Sequence, residues 1–169
     1  MTATAAPLVA PRPSVARVAL VGNPNTGKTT LFNLLCGARA KVANFPGTTT
    51  TIREGRCATF GRQVELVDLP GIYDLRFGSP EARIAGDVLS GRTGAAPDAV
   101  LVLVDACNLT RNLVLVGELL GFGRPVVVAL NMMDLANRRG LSIDAARMAE
   151  CLGVEVVPTV ARKGGGVER

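Results

Sequence analysis

Gly22-Asn23-Pro24-Asn25-Thr26-Gly27-Lys28-Thr29 decides how this chain is read. The stretch follows the apolar run Arg17-Val18-Ala19-Leu20-Val21 and precedes residues 29–36, whose apolar side chains recur at helical spacing. Strand, glycine-rich turn and helix in that order form the context in which G-x-x-x-x-G-K-[ST] binds phosphate. Glycines let the backbone curl so that consecutive N–H groups converge on an anion, and the start of the helix adds a favourable field. On this reading Asn23, Pro24, Thr26, Gly27 and Thr30 belong to the cradle, Lys28 reaches the β- and γ-phosphates, and the Thr29 hydroxyl is a Mg²⁺ ligand. A glycine turn with an incidental lysine is the competing reading, and it leaves the flanking strand and helix without explanation.

Outward from the loop, strands and helices alternate. Residues 56–60 and 63–68 read as a hairpin around Gly61-Arg62. Ser79 caps, and Pro80 opens, a helix that stops near Gly91. Residues 99–105 and 125–131 are continuous apolar runs, the pattern of strands buried on both faces of a parallel sheet. Asn108 can cap a helix through about Leu120, a further helix fits residues 142–152, and residues 154–158 make a last strand. These six strands predict one doubly wound, three-layer α/β domain over residues 15–169, mainly parallel, with helices on both faces. Functional loops should then gather at the carboxyl ends of the strands.

Composition narrows the chemistry. The 169 residues contain no His and no Trp, one Tyr and five Phe. Without His there is no Ser-His or Cys-His catalysis and no imidazole acid, base or zinc ligand. The net charge of +5 invites a nucleic-acid reading. Against it, the cations are scattered and the aromatics too few to stack bases, so no nucleic-acid partner is expected. Cys36, Cys57, Cys107 and Cys151 form no C-x-x-C pair, which favours free thiols in a reducing, cytoplasmic compartment. No apolar run approaches the roughly 18–20 residues that span a bilayer. Residues 1–14, rich in Ala, Pro and Thr, read as a disordered leader rather than an address tag.

Three further stretches add to the phosphate loop. Asp68-Leu69-Pro70-Gly71 ends a strand, where the carboxylate can hold a Mg²⁺-bound water and the Gly71 N–H can approach a γ-phosphate. Alone, such a cluster is most often a turn. Asn131-Met132-Met133-Asp134 follows the strand at 125–130; a carboxylate there can accept from both N1–H and the exocyclic amine of guanine, a donor pair that adenine lacks. A capped turn of Asn and Asp is the alternative. Then Val160, Ala161 and Arg162, in the loop after the last strand, can present backbone N–H groups to guanine O6.

GNPNTGKTTLFN, NFPGTTT, DLPGIYDL, DACNLTRNL and VVVALNMMD, in this order, resemble the G domain of the FeoB family, the bacterial ferrous-iron transport GTPases, within the TRAFAC GTPases. The likeness runs from about Arg17 to Gly166, and the N-M-x-D and D-L-P-G-I-Y wordings are particularly close. It implies a P-loop GTPase fold and a Mg²⁺-dependent switch that binds GTP or GDP and hydrolyses GTP slowly. It gives Asn25 as the asparagine that marks potassium-stimulated members, where a K⁺ ion neutralises charge on the transferring phosphoryl group; a loop-stabilising side chain is the plainer role for Asn25. Residues 44–51 match the first switch, with Thr49 as Mg²⁺ ligand and Thr48 as its rival. Lys28, Asn25, Thr49 and Gly71 thus become the candidate catalytic set. Ile72 stands where Ras-like enzymes carry a water-orienting glutamine, which implies slow intrinsic hydrolysis.

The resemblance also implies partners: a helical regulatory domain and a membrane permease domain of the same protein, at the cytoplasmic face of the inner membrane, with homo-oligomerisation compatible. Two departures stand out. Val160 replaces the serine usual in the base-contact loop, and the chain stops where the family has a further helix, so the domain reads as truncated. Two rivals are a potassium-stimulated GTPase of RNA modification or ribosome assembly, and a non-catalytic guanine-nucleotide-binding module.

Overall fold

The computed structural model describes residues 15–37, 40–45, 50–59, 61–76 and 78–167. Residues 1–14, read above as a leader, lie outside them, as do Thr48 and Thr49.

The chain folds as β1 (Ala16–Gly22), α1 (Lys28–Cys36), β2 (Lys41–Asn44), β3 (Thr51–Thr59), β4 (Arg62–Asp68), α2 (Pro80–Ser90), β5 (Ala99–Asp105), α3 (Leu109–Leu120), β6 (Val126–Asn131), α4 (Met133–Arg138), α5 (Ala145–Leu152) and β7 (Glu155–Pro158), closing on a 3₁₀ turn at Ala161–Lys163. The strands form one sheet in the order β2-β3-β4-β1-β5-β6-β7. β1 pairs in parallel with β4 and β5, and β5-β6 and β6-β7 are also parallel; β2-β3 and β3-β4 are antiparallel.

Among the described residues the expected six strands are therefore seven. The addition is β2, a four-residue edge strand pairing Lys41 with Glu54 and Asn44 with Thr51. Its Val42 is 62% exposed, and four residues are too few to leave a period in the sequence. A second addition is α4, a six-residue helix entered through Met132 at φ 64°. The helix expected from residue 142 begins at Ala145, because Asp144 takes the cap and accepts from the Arg147 N–H. Asn108 precedes α3 but makes no side-chain cap; its amide donates back to Asp105 Oδ2.

The continuous apolar runs resolve into two faces. In β1 and β5, Ala19, Val21, Val100, Val102 and Val104 face the larger core with α2 to α5, while Leu20 and Leu103 face α1 with Leu31, Phe32 and Leu66. Strict alternation places successive side chains on opposite faces, and both faces are covered, so no polar residue marks the period. Cys36, at the end of α1, and Cys57, on β3, are free thiols held against each other on the α1 side. Burial, then the neighbouring Cys57, push the Cys36 thiol up to about 11.

Candidate functional site

The parallel strands β1, β4, β5 and β6 all point the same way, so the loops after Gly22, Asp68, Asp105 and Asn131 meet at one edge of the sheet. Leaving β1, the chain turns through Asn25 at φ 67° and Gly27 at φ 91°, and α1 starts at Lys28. Gly27 is needed for two reasons. Its dihedral is left-handed, and a Cβ there would sit 2.5 Å from Asn131 Nδ2. Thr26 closes the loop inward, its hydroxyl and its N–H both donating to the Asn23 carbonyl at 2.9 and 3.4 Å.

Two adjoining hollows sit on this edge, joined through Gly27, Thr30 and Met132. The first, of about 660 Å³, is lined by Pro24, Asn25, Lys28, Thr29 and Gly71. Lys28 Nζ reaches Asp68 Oδ1 at 2.6 Å, and both side chains are largely buried. A primary ammonium and a carboxylate so placed offer a phosphate its cation and a Mg²⁺ its hard oxygen within one contact. Gly71 comes so near the loop that a Cβ would lie 3.2 Å from three Pro24 atoms. The Ile72 N–H donates to the Gly22 carbonyl, and its side chain is buried, so it presents nothing to a water at the site.

The second hollow, of about 320 Å³, is lined by Met132, Asp134, Arg138, Val160, Ala161 and Arg162. Asp134, in the first turn of α4, receives Arg162 at 2.9 Å and Arg138 at 3.0 Å, both on Oδ2, with Lys163 Nζ 3.9 Å away. Desolvation tends to raise its carboxyl; the Arg162 hydrogen bond and charge, then those of Arg138, outweigh it and hold the group below the usual carboxylate range. Asp134 lines this hollow with its Oδ2 engaged by both arginines; in the sequence Arg162 stands out only for its backbone N–H, and Arg138 and Lys163 do not stand out as site residues. Arg138 lies four residues on, a spacing legible only once α4 is known to be a helix.

Asn131 ties the two hollows together. It is 3% exposed; its Nδ2 donates to the Thr26 carbonyl at 2.8 Å, and its Oδ1 accepts from the Ala161 N–H at 2.9 Å and the Thr159 hydroxyl at 3.3 Å. This corrects one expectation. The Ala161 N–H, read as turned toward a base, is engaged by Asn131, because the side chain between the loops offers it a buried acceptor. Val160 is held from outside by an N–H to the Gly165 carbonyl at 2.9 Å. Asn23 is buried with neither amide atom partnered, and it lines neither hollow.

Sequence and structure comparisons give this geometry relatives. A family model described as ferrous iron transport protein B matches residues 16–169. The Fe(2+) transport protein A/Fe(2+) transporter FeoB fusion protein of Porphyromonas gingivalis is 45% identical over 159 residues, covering 94% of this chain and 19% of the relative. The Fe(2+) transporter FeoB of Salmonella typhimurium is 45% identical over 156 residues, covering 89% of this chain and 20% of its own length. The chain thus spans about one fifth of the length of the curated relatives it matches. Among solved structures, a point mutant of S. thermophilus NFeoB bound to GDP superposes with a TM-score of 0.84 at 43% identity, covering 91% of this chain and 59% of that one. The FeoB G-domain from Methanococcus jannaschii gives 0.78 at 40% identity, covering 91% of both chains. Fold, edge geometry and likeness agree: the chain belongs to the FeoB family, as its N-terminal G domain with the P-loop GTPase fold.

Proposed function

We propose that this domain binds GTP and GDP, hydrolyses GTP slowly, and serves as the cytoplasmic nucleotide switch of a ferrous iron transporter. The observation that carries the reading is the pair of joined hollows, with Asp134 at one end and the Lys28-Asp68 pair at the other. Guanine would lie against Asp134 and Met132, between α4 and the turn at 160–162. The phosphates would lie in the curl of Asn25 to Thr29, with Lys28 leaving Asp68 for the phosphoryl oxygens. That a relative from S. thermophilus is bound to GDP supports guanine-nucleotide binding as such.

The residues present fit a Mg²⁺ site completed by phosphate oxygens. Thr29 supplies a hydroxyl on the open rim and Asp68 a carboxylate at the strand end, while among the described residues no cluster of three acidic or sulfur ligands competes. Bound there, Mg²⁺ would neutralise charge developing on the phosphoryl group. Thr49, or Thr48, is proposed as the further Mg²⁺ ligand and lies outside the described residues. Asn25, exposed at φ 67° on the rim of the phosphate hollow, offers an amide oxygen to K⁺. The protein's own part is positioning: Lys28 and the Gly71 N–H hold the terminal phosphate, and Ile72 leaves the attacking water to backbone and ions.

The switch would act on the permease and regulatory portions of a full-length relative, consistent with the chain spanning one fifth of such proteins. Titration with GTP, GDP and an ATP analogue tests the reading. Guanine nucleotides should bind and the adenine analogue should not; Asp134→Ala should cost about 2–4 kcal/mol of guanine preference. Equal affinity for both bases would overturn it.

A further inference from the structure

The segment after Gly71 is tethered to α3 in a way the phosphate site does not require. Glu118, in the last turn of α3, is a nearly buried carboxylate with a side-chain exposure of 8%. Its Oε2 accepts the Leu75 N–H at 2.6 Å, and its Oε1 pairs with Arg76 Nε at 2.9 Å. Seven residues earlier, two turns along the same helix face, the Arg111 guanidinium lies 3.8 Å from the centre of the Tyr73 ring. At its start the same segment is fastened to the phosphate loop by the Ile72 N–H on the Gly22 carbonyl at 3.2 Å. Ile72, Tyr73, Leu75 and Arg76 are thus all held, the last three by α3.

We propose that Glu118, supported by Arg111, is a positioning residue that sets the preference for triphosphate over diphosphate. It holds residues 72–76 so that Gly71 stays against Pro24 on the wall of the phosphate hollow. The inference rests on the guanine-nucleotide reading above. Only a nucleotide with a γ-phosphate meets the Gly71 N–H; a diphosphate ends short of it. A segment already ordered by α3 makes that contact without losing further conformational freedom, whereas a released segment must be ordered by the ligand itself. Loss of the tether therefore weakens the triphosphate alone. The carboxylate suits the task, since an ionised acceptor shielded from water forms stronger hydrogen bonds than a neutral one. Arg76 is largely exposed at 78%, so its ion pair adds little and the backbone contact at Leu75 dominates.

The test is titration of the 169-residue chain with GDP and with a non-hydrolysable GTP analogue, for the wild type, Glu118→Ala, Glu118→Gln and Arg111→Ala. Glu118→Ala should bind the analogue about tenfold more weakly while GDP affinity stays within about twofold, the size expected for one charge-assisted hydrogen bond. Glu118→Gln, whose amide oxygen can still accept from Leu75, should fall between, and Arg111→Ala should shift the ratio in the same direction. Equal losses for both nucleotides, or an unchanged ratio in a folded variant, would overturn the proposal. Should Glu118→Ala fail to fold, the ratio in Glu118→Gln and Arg111→Ala decides. A wild type that binds neither guanine nucleotide would overturn the underlying reading instead, and this one with it.

Discussion

Asn131 shows how one side chain can serve a site without facing its ligand. All of its amide's described bonds run to protein groups, one to the phosphate loop and two to the loop at 159–161. Removing it would leave the Thr26 carbonyl and the Ala161 N–H unpaired in a buried place, and such groups are costly. Asn131→Ala is expected to destabilise the domain by about 2–4 kcal/mol and to weaken GTP and GDP alike, because both ends of the nucleotide site lose their brace. Thermal unfolding together with GDP titration checks this; an unchanged melting temperature would count against it. Asp134 differs in kind, since its side chain lines the base hollow and two arginines hold its carboxylate ionised. In sequence the two residues look like members of one motif, N-M-M-D. The structure separates a brace from a candidate base contact.

At the scale of elements, local chemistry and tertiary packing share the outcome unequally. α2 is written locally: Ser79 Oγ accepts the Ala82 N–H at 3.0 Å, Pro80 opens the helix, and Gly91 at φ 77° ends it. Ser79→Ala should therefore cost about 1 kcal/mol, read as a lower melting temperature, while guanine affinity stays unchanged. A loss of several kcal/mol would mean that the cap also fixes the segment at 72–76. β2 and α4 lie at the other extreme. β2 exists because β3 offers a free edge, and α4 because Met132 turns the chain at a positive φ into a short helix that buries Ala136. Neither is long enough to carry a hydrophobic period. α3 lies between: its apolar period is legible, but the tie of Glu118 to Leu75 and Arg76 joins residues more than forty positions apart.

At the scale of the whole molecule, the parallel order β4-β1-β5-β6 converts four separate sequence motifs into one edge. Hydrolysis, as proposed, needs groups from β1, β4 and the segment at 46–49 at once, with Asn25 supplying an oxygen for K⁺. GTP turnover should then be faster in KCl than in NaCl at equal ionic strength, and Asn25→Ala should abolish the difference. Equal wild-type rates in the two salts would remove Asn25 from that role. The strand-loop-helix around Lys28, the two-sided burial of β1, β5 and β6, and the class of fold are readable from the sequence alone, because backbone sterics, helix caps and hydrophobic period act between near neighbours in the chain. The brace at Asn131, the reach of Arg162 and Lys163 to Asp134, the engaged Ala161 N–H and the tether at Glu118 are not. Each depends on contacts between residues far apart in sequence, chosen by which loops the sheet order brings within hydrogen-bonding reach. No local pattern encodes that proximity until the strands have paired.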